Sequence, residues 1–191
     1  GFSVAAAAHV GNLLGEGDAR RARVTAVTAT GYVALLGAAI ALVLLAVRAP
    51  WIALFTSDGA VGAEAMGVFP LVALYILFDA VGPGAMNNIL RAVNHVKGPA
   101  LINVASFYLL GIPIGVVLAF GLAPRSILNV DAMGIYGLWV GLNVGMVTMV
   151  LGLVLYSLRC VNWTDAAAAA VAAAASKAPG SAPTDGTPTP T

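Results

Sequence analysis

A length of 191 residues would suit one ordinary domain, but 60% of this chain is hydrophobic, 9% is charged and its mean hydropathy is +0.95. Soluble domains carry about 25% charged residues, so a water-soluble globule is excluded. The net charge of +1, without a polybasic arm, gives no field for nucleic acid, and the single Cys160 excludes an intrachain disulfide or a thiolate metal cluster.

Crossing a bilayer takes about 20 mostly apolar residues in a helix. Residues 1–14 fall short of that and read as the end of a helix whose start lies upstream. The chain begins at Gly1 with no signal sequence, and we expect it to be the back part of a longer protein. Residues 24–47, 98–124 and 132–158 carry no charge until Arg48, Arg125 and Arg159. Residues 65–90 form a further apolar segment, interrupted only by Asp79. The expected fold is therefore all-α, a polytopic transmembrane helix bundle of four complete helices plus one truncated.

Asp79 does not prevent insertion of its own helix. A central aspartate costs about 2.5 to 3.5 kcal/mol, and each Leu, Ile, Phe or Val returns about 0.3 to 0.6. Residues 66–90 hold eleven of those, a return of roughly 3 to 7 kcal/mol. The segment inserts with little margin.

Arg20, Arg21, Arg23, Arg91, Lys97, Arg159 and Lys177 fall on one side of this arrangement, and only Arg48 and Arg125 on the other. The positive-inside rule makes the first side, and the C-terminus, cytoplasmic. The sequon Asn162-Trp163-Thr164 would then lie where no glycan is added. Beyond Thr164, the alanine run 166–175 is expected to extend a helix past the membrane. "APGSAPTDGTPTPT" has almost nothing to bury and reads as a disordered, solvated end.

Within the spans, small residues recur four apart: Gly137, Gly141 and Gly145, then Gly111 and Gly115, then Gly11 and Gly15. Such stripes let helix backbones approach closely, and packing is the expected role of each. Trp51, Trp139 and Trp163 lie near segment ends as interfacial anchors. Packing is expected of Tyr108 and Pro113 too, and a solvated surface position of His9.

Asp79 is different, because an ionisable group in mid-membrane marks an ion, proton or substrate path by default. The competing reading is a neutral, hydrogen-bonded carboxyl that pins helices. Tyr75 lies four residues earlier, on the same face, where its phenol could hydrogen-bond the carboxylate. Gly82, Pro83 and Gly84 follow as a hinge, since proline cannot donate to the helix ladder and clashes with the carbonyl of residue 79. A helix broken there would free carbonyls beside a carboxylate, as broken helices in transporters do. Asn87, Asn88 and Asn103 are expected to hydrogen-bond between helices, with Asn103 nearest the cavity. "GNLLGEGD" has the wrong spacing for a dinucleotide loop, and no Walker, HExxH, GxSxG or Cys/His pattern occurs. An enzyme is not expected, and no cofactor.

"AAAAHVGNLLGEGDARRA" at 5–22 resembles the multidrug and toxic compound extrusion (MATE) signature A-x-x-x-R-V-(G/S)-N-x-L-G-A-G-x-x-x-x-A. "LFTSD" at 54–58, "ILFDAVGPGAMNNILRAVNHVKGPALINVASFYLLGIPIG" at 76–115 and "GIYGLWVGLNVG" at 134–145 follow in the order and spacing of the family's eukaryotic branch. The resemblance implies a twelve-helix antiporter of two lobes around a central cavity. Residues 1–163 would be part of its C-terminal lobe, from the end of the eighth helix through the twelfth, and 164–191 a cytoplasmic tail. It also implies export of organic cations, xenobiotics or metabolites in exchange for protons or Na+. Asp79 would be the tenth-helix aspartate that binds the coupling ion, Tyr75 a companion tyrosine and Asn103 an eleventh-helix asparagine.

The family's arginine before V-(G/S)-N is His9 here, and its D-G-x-Q becomes Asp79-Ala80-Val81-Gly82. The family's seventh-helix glutamate is also absent. The partners implied are a small organic substrate, the lipid bilayer and the remainder of the same polypeptide. The location implied is a plasma or vacuolar-type membrane. A truncated, non-transporting scaffold and a lipid flippase of related architecture are the alternatives.

Overall fold

A computed structural model describes residues 1–122 and 132–177. Arg125 and the tail "APGSAPTDGTPTPT" lie outside them. The described residues are helical, without a strand, and run as α1 (Phe2–Gly15), α2 (Ala19–Ala46), α3 (Arg48–Ala53), α4 (Gly59–Ala92), α5 (Lys97–Phe120), α6 (Ile135–Cys160) and α7 (Trp163–Lys177). Of these, α2, α4, α5 and α6 are long and apolar enough to cross a membrane, as the charge-free segments predict.

The turns explain motifs that carry no chemistry. In "GNLLGEGD", Gly17 adopts a left-handed φ of +82°. This closes α1, with Gly17 N–H donating to Leu14 O and Asp18 N–H to Leu13 O, both at 3.0 Å. Asp18 then caps α2 by accepting from the Arg21 N–H at 2.9 Å. In "LFTSD", Asp58 caps α4 through the N–H groups of Ala60 and Val61. These residues are punctuation between helices.

At the end of α4, Asn94 takes a positive φ of 61°, and His95 N–H reaches back to Leu90 O at 2.8 Å. The same turn is latched to α6. His95 Nδ1 and the Tyr156 hydroxyl lie 2.8 Å apart, with their rings edge to face at 5.6 Å. Gly98 leaves room for the Tyr156 ring. Sequence reasoning passed over this pair because its members are 61 positions apart. Tyr156→Phe should leave His95 without its partner in a half-buried place, at about 1 kcal/mol. Amide hydrogen exchange across 94–98 should then quicken about fivefold, with the rest of the bundle unchanged.

α6 is the hub. It packs along α5, against both halves of α4, and beside the end of α1. Gly137 faces Leu118 and Ala119, Gly141 faces Gly111 and Gly115, and Gly145 faces Gly111 and Ser106. The glycine stripes of α5 and α6 therefore do pack as predicted. The stripe of α1 meets no other helix among the described residues, where a Cβ on Gly11 or Gly15 would meet nothing within 4 Å. The buried cluster includes Val10, Leu14, Leu90, Met146, Met149 and Leu153. Outside it, Leu35, Leu101, Leu109 and Phe120 stay exposed, the pattern of helices whose solvent is as apolar as their side chains.

The alanine run forms a helix, but not as an extension of α6. Val161 is extended (φ −90°, ψ 109°), and Asn162 starts a new helix by accepting from the Thr164 N–H at 3.2 Å. α7 turns back against α1 and α2, and Ala167 is buried there. This half of the tail is docked on the bundle.

Candidate functional site

Asp79 lies deep within α4 and is the one carboxylate in α2, α4, α5 or α6 that is remote from a helix end. The helix does not break after it. Residues Ala80–Met86 form a π-helical turn, in which the ladder pairs each N–H with a carbonyl five residues back. Asn87 N–H donates to Gly82 O in that register. The wider turn accommodates Pro83 and re-pairs the ladder, so the freed carbonyls expected from a broken helix are not there. Gly84 is needed at close quarters, because a Cβ there would lie 3.2 Å from the Asp79 carbonyl oxygen. Asn88 Nδ2 donates to Gly84 O at 2.8 Å, a bond within its own helix and not between helices.

Two neighbouring helices close on the wide turn. A Cβ on Gly37 of α2 would sit 2.6 Å from the Ala80 Cβ, and one on Gly82 would sit 2.8 Å from Met149 Cε of α6. Backbone and side chain thus fit the turn from both sides, while the Asp79 side chain projects to an exposed surface of the chain. Among the described residues its carboxylate takes no hydrogen bond and no ion pair. The one ion pair present is Arg21–Asp18, at 3.4 Å.

Tyr75 shares the face of Asp79 but does not hydrogen-bond it. Its ring meets Trp139 of α6 edge to face, at 6.0 Å and 85°. Trp139 is therefore a packing partner inside the bundle more than an interfacial anchor. One turn on, Asn143 is buried, and its Nδ2 donates to Leu71 O at 3.1 Å and to Trp139 O at 2.8 Å. Asn143 is the polar link between α4 and α6 that sequence reasoning missed. The available signal was an amide midway between Gly141 and Gly145, off the packing face of the stripe.

Asn103 is carried by α5, which packs on the opposite flank of α6 from α4. The structure does not bring it beside Asp79. Its Oδ1 is buried without a partner, as are those of Asn87 and Asn143. Those three acceptors do not converge, since Asn87 and the Leu71 carbonyl each lie about 12 Å along α4 from Asp79, in opposite directions. A second π turn, Ala105–Gly111, lies in α5 just before Pro113 and carries Tyr108 on an exposed face, where the expected packing is absent. No group of three His, Cys, Asp or Glu side chains able to hold a metal occurs among the described residues. Among the described residues the site is thus a single unpaired carboxylate at the mouth of a widened helical turn.

The MatE family profile matches residues 1–117. The chain belongs to the MATE family. It is 33% identical to mouse multidrug and toxin extrusion protein 2 over 167 residues, which is 87% of this chain and 27% of that protein. It is 28% identical to Arabidopsis thaliana protein DETOXIFICATION 41 over 165 residues, covering 86% of this chain and 30% of that one. The crystal structure of the eukaryotic MATE transporter AtDTX14 superposes with a TM-score of 0.76 at 27% identity, over 90% of this chain and 36% of the other. The MATE chain described here thus spans under a third of the length of these curated relatives. The shared fold makes it a multi-pass membrane protein.

Proposed function

We propose that this MATE chain works within a longer, two-lobe antiporter that expels organic cations, xenobiotics or metabolites in exchange for protons or Na+, with Asp79 as a coupling carboxylate. The observation that carries the proposal is the place of Asp79, deep in a span and, among the described residues, exposed and without hydrogen bond or counter-ion. None of the described helices is pinned by it. A group that gains and loses an ion must be open to it. Desolvation favours the neutral acid and a watery opening the charged one, so alternating access would change ion affinity at Asp79. The wide turn that follows supplies a place for α4 to flex without unpairing its backbone. Arg20, Arg23 and Arg159 share one end of the bundle, which under the positive-inside rule supports a cytoplasmic C-terminus.

Dicyclohexylcarbodiimide, an apolar reagent that couples to protonated carboxyls, tests this directly. In reconstituted membranes it should modify Asp79, as read by peptide mass mapping, and the modification should fall as pH rises. Sodium should protect Asp79 if Na+ is the coupling ion. An Asp79 that stays unmodified at every pH would show that the group never meets protons, and the proposal would fail.

A further inference from the structure

We propose that the arginine-bearing end of the bundle holds an anionic phospholipid, its headgroup seated between α2, α6 and α7. Two adjoining features carry the proposal. The first is a cleft of about 480 Å³ lined by Arg20, Arg23, Arg159, Cys160, Trp163 and Thr164 among others. No carboxylate lines it, and the one ion pair among the described residues engages Arg21, leaving Arg20, Arg23 and Arg159 without an acidic partner. The amino-terminal end of α7 opens into the same cleft and adds its positive dipole. The one nearby acid, Asp165, is tied to Asn162 Nδ2 at 2.8 Å.

The second feature is an apolar groove of about 280 Å³ between α2, α4 and α6, lined by residues such as Val27, Val81, Val154, Leu158 and Trp163. Trp163 belongs to both, so the groove continues the cleft into the depth of the bundle. Apart from Trp163, its lining residues belong to three membrane-spanning helices. The apolar lining of the groove suits an acyl chain, and the arginines of the adjoining cleft suit an acidic headgroup. Three guanidinium groups without an acidic partner among the described residues, beside an apolar slot, match a lipid phosphate with its tail, and basic pockets between helices are recognised sites for acidic headgroups.

Cys160 lines the cleft and is exposed, which makes it a reporter. The full chain is reconstituted in phosphatidylcholine vesicles, with or without a minority of phosphatidylglycerol. Alkylation of Cys160 by the neutral reagent N-ethylmaleimide is then followed by peptide mass mapping. Phosphatidylglycerol should slow alkylation several-fold. Each of Arg20→Gln, Arg23→Gln and Arg159→Gln should weaken the apparent lipid affinity about fivefold, the effect of roughly 1 kcal/mol per cation. Val154→Phe, which fills the groove, should also weaken protection while leaving the arginines in place. All four positions are exposed, and circular dichroism checks that the helices persist. Equal alkylation rates in the two membranes, or loss of protection in none of the variants, would overturn the proposal. Equal protection by soluble glycerol 3-phosphate in plain phosphatidylcholine would overturn it too, since the cleft would then be a phosphate site without use for the groove.

Discussion

Gly141→Ala should lower the stability of the bundle by about 2 kcal/mol, whereas Gly11→Ala should raise it by up to about 1 kcal/mol. The two substitutions are chemically identical and both favour a helix by about 1 kcal/mol. They differ in what the new methyl group meets. At Gly141 it would fall on the Gly115 backbone and the Gly111 carbonyl oxygen, all main-chain atoms that cannot rotate aside. At Gly11 it would meet nothing within 4 Å. Overfilling a tight contact costs about 1 to 3 kcal/mol and more where backbone must shift, which outweighs the propensity gain at Gly141. Within lipid no hydrophobic force restores the lost approach of α5 and α6. Unfolding in mixed micelles with a denaturing detergent, followed by tryptophan fluorescence, reads both signs in one assay.

Asp79→Asn should abolish gradient-driven efflux by the complete transporter while leaving the fold intact or slightly firmer. The amide is nearly the same shape but holds no exchangeable charge. Because the native carboxylate makes no hydrogen bond or ion pair among the described residues, its replacement breaks no contact among them, and it exchanges an acid costing about 2.5 to 3.5 kcal/mol in mid-span for an uncharged amide that costs less. A helix-pinning carboxyl would behave in the opposite way, with transport little changed and stability reduced. Asp79→Glu should retain part of the activity. Efflux of a fluorescent organic cation from vesicles under imposed proton and sodium gradients, measured beside thermal unfolding, separates these outcomes. Undiminished efflux in the asparagine variant would remove Asp79 from the coupling step.

What could be read in the sequence follows the physics of each feature. The four spans were legible because an uncharged stretch long enough to cross a bilayer has few other uses, and their ends shift by only a few residues, as with 24–47 against Ala19–Ala46. The packing of Gly137, Gly141 and Gly145 was legible because small residues four apart form one flat face. Gly11 and Gly15 carry the same spacing and lie open, since spacing fixes a face but not what meets it. Proline 83 announced an interruption in the helical ladder, but not whether the backbone would break or re-pair. Its neighbour in α5, the turn over Ala105–Gly111, has no proline inside it to give it away. Asn143, the His95–Tyr156 contact and the docking of α7 on α1 are all tertiary facts. Only Asn143, set between two glycines of the stripe, has a local pattern to announce it.

The wide turn in α4 has a further consequence for how that helix is assembled. One additional residue in a turn displaces everything beyond it by about 100° around the axis. The stretch before the turn lies against α2 and α6, and Asn87–Ala92 beyond it lies against α1. A single continuous rod thus serves two sets of neighbours with two differently aimed faces. The two sets are joined through the middle of the membrane along one unbroken backbone.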